Sequence, residues 1–151
     1  MFQKARRIHY KTPRDLDRMR DAGKVVSSVL EAMRRQVRPG VTTLELDRLA
    51  YTMIQEAGGS PSFLNYRVGD RVYHHSICSS VNEEVVHGIP SEERVLQEGD
   101  IVKLDVGVRL RGFHADSAIT VPVGEIDPEV RRLLEVTHRS LWEGIRAITL
   151  R

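Results

Sequence analysis

Two aspartates and a histidine in one short stretch carry the first chemical signal of this 151-residue chain. They lie in Ile101-Val-Lys-Leu-Asp105-Val-Gly-Val108, a turn over Arg109 to Gly112, and Phe113-His114-Ala115-Asp116-Ser117. An antiparallel hairpin with its turn centred between Leu110 and Arg111 sets Asp105 directly opposite Asp116. In that register one face carries Val102, Leu104, Val106, Val108, Phe113, Ala115, Ile119 and Val121 and reads as core. The other face carries Lys103, Asp105, Gly107, His114, Asp116 and Ala118. Directly opposed Cβ atoms sit roughly 4.5–5.5 Å apart, where like charges are destabilising unless something offsets them. A divalent cation does so. Carboxylate oxygens are hard ligands suited to Mg, Mn or Fe(II), and a bridging pair suits two metals that activate a shared water. Two solvent-facing acids, one neutralised by Lys103, fit the same spacing, which does not by itself choose between the two readings.

Other residues carry weaker signals. His87 sits in Val-Val-His-Gly-Ile-Pro, where Gly88 permits close backbone approach and Pro90 fixes the exit of the loop. A lone histidine there reads first as structural and second as part of a site. His114 shares the acidic face and is a ligand, a partner behind the ligands or a neighbour. Cys78 lacks the setting of a nucleophile and reads as a small buried apolar residue. His74 and His75, adjacent on an extended segment, point to opposite faces and do not jointly chelate a metal. There is no Walker-type phosphate loop, dinucleotide fingerprint or zinc-cysteine cluster.

The elements that must position these residues are legible on either side. Thr12-Pro13-Arg14-Asp15 is a capping box with Pro13 at the first helical position. Leu16, Met19, Val26, Val29, Leu30, Met33 and Val37 then make one helical stripe, ended by Arg38-Pro39-Gly40. Thr42 to Glu45 opens a second helix with Leu46, Leu49, Ala50, Met53, Ile54 and Ala57 inward, closed by Gly58-Gly59. Ser76 to Asn82 and Val85 to Pro90 read as strands and turns. After Gly124, Asp127 caps a helix with Pro128 first and with Val130, Leu133, Leu134, Leu141 and Ile145 at helical spacing, running nearly to Arg151. Helices, then a strand cluster, then a helix predict an α+β domain.

The chain is 40% hydrophobic and 29% charged with a net charge of +2, a globular composition rather than a disordered one. Its pI near 8.9 owes much to Lys4, Arg6, Arg7, Lys11 and Arg14 beside Phe2 and Tyr10. That cluster reads first as a solvated arm and second as a surface for RNA or an acidic partner. No signal peptide or membrane span is indicated. The single Cys78 excludes an internal disulfide, and a reducing cytoplasm is the expected location.

Six segments carry a more specific likeness: Lys11-Thr-Pro-Arg-Asp15, Met19-Arg-Asp-Ala-Gly23, Val37-Arg-Pro-Gly-Val-Thr-Thr43, Val81-Asn-Glu-Glu-Val-Val-His-Gly-Ile-Pro90, Gly99-Asp-Ile-Val-Lys-Leu-Asp105 and Gly112-Phe-His-Ala-Asp-Ser117. Through them the chain, from about residue 11 onward, resembles the N-terminal portion of type I methionine aminopeptidases. The resemblance implies the first half of a pita-bread (creatinase/aminopeptidase-like) fold, an antiparallel sheet covered by helices. It divides the chain into a basic arm over 1–11, the N-terminal half of the aminopeptidase domain over 12–124, and the first helix of the second half over 125–151. It implies removal of the N-terminal methionine from nascent proteins by a water activated between two divalent metal ions drawn from Co, Mn, Fe, Zn or Ni. Asp105 and Asp116 match its metal-binding aspartates, and His87 matches a catalytic histidine beside the scissile peptide. Cys78 and Tyr66 match positions lining the methionine pocket.

Three departures qualify that likeness. The remaining ligands of the family, one histidine and two glutamates, and its second active-site histidine belong to the second half; His138 and Glu143 match none of them. The chain alone is therefore expected to have little or no activity. A catalytically inactive half-fold that binds peptides, or a subunit needing a complementing C-terminal chain, is the alternative. Expected partners are the N-terminal peptides of nascent proteins, the ribosome and that complementing half, with no DNA and no membrane. The stretch Arg67 to Ser76 also replaces the shorter Gly-aromatic-Pro segment of the family, which puts strict methionine selectivity in question; Ala115 in place of the usual glycine points into the core face and changes little.

Overall fold

A computed structural model describes residues 10–148. Phe2, Lys4, Arg6, Arg7 and most of the predicted basic arm lie outside the described residues. Helix α1 (Pro13–Gln36) starts on the predicted capping box: the Thr12 hydroxyl accepts from the Asp15 amide at 3.2 Å, and the Asp15 carboxylate accepts from the Thr12 amide at 3.0 Å. Its stripe is buried from Ala22 through Val26, Val29, Leu30 and Met33. Leu16 and Met19 stay largely exposed, because the first turns of α1 lie by the tip of a hairpin, where Asp21 meets Arg111 and Arg18 stacks on Phe113. Helix α2 (Thr43–Glu56) repeats the device with Thr42 and Glu45 and buries Leu46, Ala50 and Ile54.

The strands are β1 (Ser60–Pro61), β2 (Arg67–Val68), β3 (Arg71–Val72), β4 (Ile77–Val81), β5 (Ile101–Leu110) and β6 (Phe113–Pro122). Strand β5 is central: β4 and β1 pair with it antiparallel along one side and β6 along the other. Val102, Leu104, Val106 and Val108 of β5 are fully buried beneath α1 and α2. This is the apolar face expected from the two-residue alternation. The predicted segment Val85 to Pro90 forms no strand and runs as an irregular loop along β4.

The register of the β5–β6 hairpin differs from the expectation. Leu110 pairs with Phe113, so the turn is Arg111-Gly112, and Asp105 faces Ala118 while Asp116 faces Gly107. Arg111 (φ 50°) and Gly112 (φ 86°) both take left-handed backbone, the conformation that lets a two-residue turn follow the right-handed twist of its strands. The displacement is by two residues and not by one. Every side chain therefore keeps its predicted face, and only the cross-strand partners change.

Helix α3 (Pro128–Arg146) opens on Asp127 as predicted but ends at Arg146, short of the predicted run towards Arg151. None of its residues is buried, and Leu133, Leu141, Trp142 and Ile145 remain about half exposed or more. Its apolar stripe exists without an apolar partner among the described residues.

Arg111 holds the left-handed conformation without being glycine or asparagine, and its ion pair with Asp21 is long and exposed. Arg111→Asn is expected to stabilise the chain by about 0.5 kcal/mol, because asparagine tolerates that backbone region and an exposed pair contributes little. A urea denaturation midpoint at or below that of the parent would contradict it.

Candidate functional site

The site is built on the solvent side of the sheet. Asp105 projects from β5 with Cys78 of β4 opposite on one side and Ala118 of β6 on the other. Asp116 projects from β6 opposite Gly107, one step diagonally from Asp105. A Cβ at residue 107 would stand 3.2 Å from Asp116 Oδ2 and 2.9 Å from the Phe63 ring and from Ser62 Cβ. Glycine there admits Ser62 and Phe63 against β5 and leaves the Asp116 carboxylate room to lie over the Asp105 strand.

The two acids are not equivalent. Asp105 Oδ1 is buried and accepts no hydrogen bond. Burial first, then the Asp116 charge and a hydrogen bond with it, hold the Asp105 carboxyl above its usual range, while His87 acts in the opposite sense. Lys103 does not neutralise the pair: its ammonium donates to the Asn82 carbonyl at 2.5 Å. A buried carboxylate oxygen without a donor, beside a second carboxylate, fits a hard cation better than it fits water. Among the described residues no third histidine, cysteine, aspartate or glutamate joins them to complete a metal-holding group.

His87 reaches the same region from the loop after β4. Ser79 N donates to Gly88 O and Gly88 N donates to Ser80 Oγ, each at 2.9 Å, which pins the loop against the strand. A Cβ on Gly88 would overlap the Ser79 carbonyl oxygen, so the close approach requires glycine. His87 itself is exposed with φ 62°, and with Ser80, Val86, Lys103, Asp105 and Thr120 it lines a groove of about 170 Å³. Asp105 and Asp116 of the hairpin and His87 of the preceding loop thus gather on one face.

The predicted pocket residues separate. Cys78 is buried in β4, and burial pushes its thiol up. Tyr66 is 64% exposed at the neck of the β2–β3 hairpin into which the divergent segment folds. Tyr73, across that neck, is half-buried; its hydroxyl donates to the Ile77 carbonyl at 2.6 Å and lies near enough to Cys78 for the two groups to perturb each other. Sequence reasoning passed over Tyr73. The only available signal was an aromatic residue just before the His74-His75 pair. His114 shares the acidic face and is engaged by Ser62 Oγ at 2.9 Å through Nδ1. His74 is exposed, and His75 turns to Asp47 of α2. His138 accepts from Trp142 and Glu143 pairs with Arg146, both along α3 and apart from the acids.

The antiparallel sheet with helices behind it has counterparts among known proteins. Residues 17–150 match Metallopeptidase family M24, and the chain belongs to that family. Within it, the chain is similar to methionine aminopeptidase 1 of Bacillus subtilis, with 47% identity over 136 residues, covering 90% of this chain and 53% of that protein. The chain spans about half the length of the curated relatives it matches. The solved methionine aminopeptidase of Thermotoga maritima superposes with a TM-score of 0.88 at 38% identity, covering 95% of this chain and 56% of that one. The prolidase of Pyrococcus furiosus, at 17% identity and a TM-score of 0.70 over 83% of this chain and 34% of its own, shares the pita-bread fold alone. The architecture here is the first half of that fold. No helix among the described residues is long and apolar enough to cross a membrane.

The raised Asp105 carboxyl makes stability depend on pH. The folded chain binds this proton more tightly than the unfolded chain does, so the contribution is fully present below about pH 4 and is lost as pH rises through the folded pKa. Asp105→Asn removes the effect. Near neutrality the metal-free variant is expected to exceed the parent by about 1 kcal/mol, because the amide carries no charge to be desolvated or repelled by Asp116. Urea denaturation at pH 4 and pH 7 checks this: the advantage of the variant should grow with pH, and a constant difference would refute it.

Proposed function

We propose that this chain is the N-terminal half of a metalloaminopeptidase domain that removes the N-terminal methionine from nascent proteins in the cytoplasm. The observation that carries the reading is the unpartnered Asp105 oxygen beside Asp116, on a face shared with His87, in a member of Metallopeptidase family M24. Asp105 and Asp116 would hold two divalent ions, whose chemistry when bound is to lower the pKa of water and polarise a carbonyl. The residues of this chain do the rest. His87, exposed at the groove, binds and orients the scissile peptide and can pass a proton to it. Cys78, its thiol kept protonated by burial, supplies apolar wall for an unbranched thioether.

Residues 12–124 make up the half-domain, and 125–151 begin the second. The unpartnered stripe of α3 supports that division, since a helix with one apolar face needs a surface to bury it. The resemblance assigns the missing histidine and two glutamates to that second half. Two aspartates offer at most four oxygens, too few for two ions. The same stripe favours, as a second reading, a subunit completed by a complementing chain.

Manganese binding tests the acids directly. Mn(II) at one hundred times its dissociation constant should raise the stability of the parent by about 2.7 kcal/mol, and that of Asp105→Asn or Asp116→Asn by far less. The chain by itself should not cleave a Met-Ala-Ser peptide. Joined to a second half that supplies the missing ligands it should, with His87→Ala lowering kcat at least about 100-fold. Equal stabilisation of all three proteins by Mn(II), or a completed enzyme indifferent to His87→Ala, would overturn the assignment.

A further inference from the structure

The buried carboxylate of Asp47 has no part in the site described above, yet it organises the segment that leads into it. Asp47 lies on α2 and is 8% exposed. Its Oδ1 accepts from the amides of Ser76 at 2.7 Å and Ile77 at 3.1 Å, and its Oδ2 lies 3.3 Å from His75 Nδ1. One carboxylate therefore anchors three consecutive residues at the entry to β4. The His75 ring, gripped on that side, meets the Tyr73 ring edge-on, with centroids 5.7 Å apart and planes at 66°. The Tyr73 hydroxyl returns to the Ile77 carbonyl beside Cys78, and Cys78 faces Asp105 across the sheet.

We infer that His75 is a positioning residue: held by Asp47, it braces Tyr73, and Tyr73 in turn covers the Cys78 thiol and sets the pocket wall beside Asp105. The inference rests on the reading of Cys78 as pocket wall. His75 suits the task because imidazole offers a polar nitrogen to the carboxylate and a flat ring to the phenol at once. It also gives the divergent segment a function. The β2–β3 hairpin opens from a neck in which Asn65 N donates to Tyr73 O at 2.7 Å and Tyr73 N to Tyr66 O at 2.9 Å. The backbone neck and the hydroxyl bond to the Ile77 carbonyl fix the two ends of Tyr73, and the Asp47–His75 pair supports the ring between them. A braced wall keeps the pocket narrow and preserves selection for an unbranched side chain despite the longer loop. Sequence divergence from Arg67 to Ser76 is then compensated from within the same segment.

Cys78 is the sole cysteine, so its alkylation by iodoacetamide, followed by mass spectrometry on the metal-free 151-residue chain at one pH, reports the cover directly. His75→Ala should speed alkylation at least about threefold, since access limits a buried thiol. Thr12→Ala, which loses a cap on α1 remote from the pocket, should leave the rate unchanged and controls for general loosening. In a Tyr73→Ala background His75→Ala should add nothing, the mark of a residue that acts through another. An unchanged rate in His75→Ala, or an equal increase in Thr12→Ala, would overturn the proposal. So would independent multiplication of the two effects in the double variant. None of these readouts involves a metal or peptide cleavage. Their failure is therefore distinct from failure of the manganese test.

Discussion

The ladder of hydrogen bonds on both edges of β5 is the constraint on which the rest depends. One edge of that strand pairs with β4 and β1 and the other with β6, so three separate stretches of chain take their register from it. Its apolar residues are driven under α1 and α2, and burial of Val102, Leu104, Val106 and Val108 locks the strand against a one-residue slip. The opposite side chains are thereby held on the other face, where His114 and Asp116 are exposed and Asp105 is half-buried. Burial of the core face fixes the side from which Asp105 projects, and the turn at Arg111-Gly112 sets it opposite Ala118 on β6, with Cys78 of β4 on its other side.

That arrangement carries an electrostatic cost. Two carboxylates share a face, and one oxygen of Asp105 is removed from water with no donor to receive it. Proteins rarely leave buried acceptors unsatisfied except where function requires it. Here the surroundings are shaped to keep the acids close. Gly107 clears the space for Asp116, and Lys103 is engaged by a carbonyl instead of by a carboxylate. The fold tolerates the pair because the hydrophobic layer beneath it is large and continuous.

Around the acids, hydrogen bonds from backbone amides to side-chain oxygens hold the pieces together. Gly88 seats the His87 loop on β4, and Asp47 seats the start of β4 on α2. In both, backbone amides donate to a side-chain oxygen, Ser80 Oγ in the first and Asp47 Oδ1 in the second, and such bonds give fixed directions at short range. Helix α3 is the contrast: well capped at its start, with an apolar stripe and no buried residue, it is local structure awaiting a tertiary contact.

The sequence by itself determined whatever is local or periodic. Thr12 with Asp15 and Thr42 with Glu45 announce their helices because a capping box closes within four residues. The alternation in β5 and β6 assigns each side chain its face because the strand period is two, and that assignment survives the corrected register. The motifs around His87, Asp105 and Asp116 pointed to the family through residue identity. Only the tertiary structure decided which residue stands opposite which. The turn at Arg111-Gly112 requires left-handed backbone at an arginine, a conformation stabilised by the pairing it completes and not by the preference of the residue itself. The same holds for Tyr73, Asp47 and His75. Their meeting depends on α2 packing beside β4, a contact across some thirty residues that no local pattern encodes.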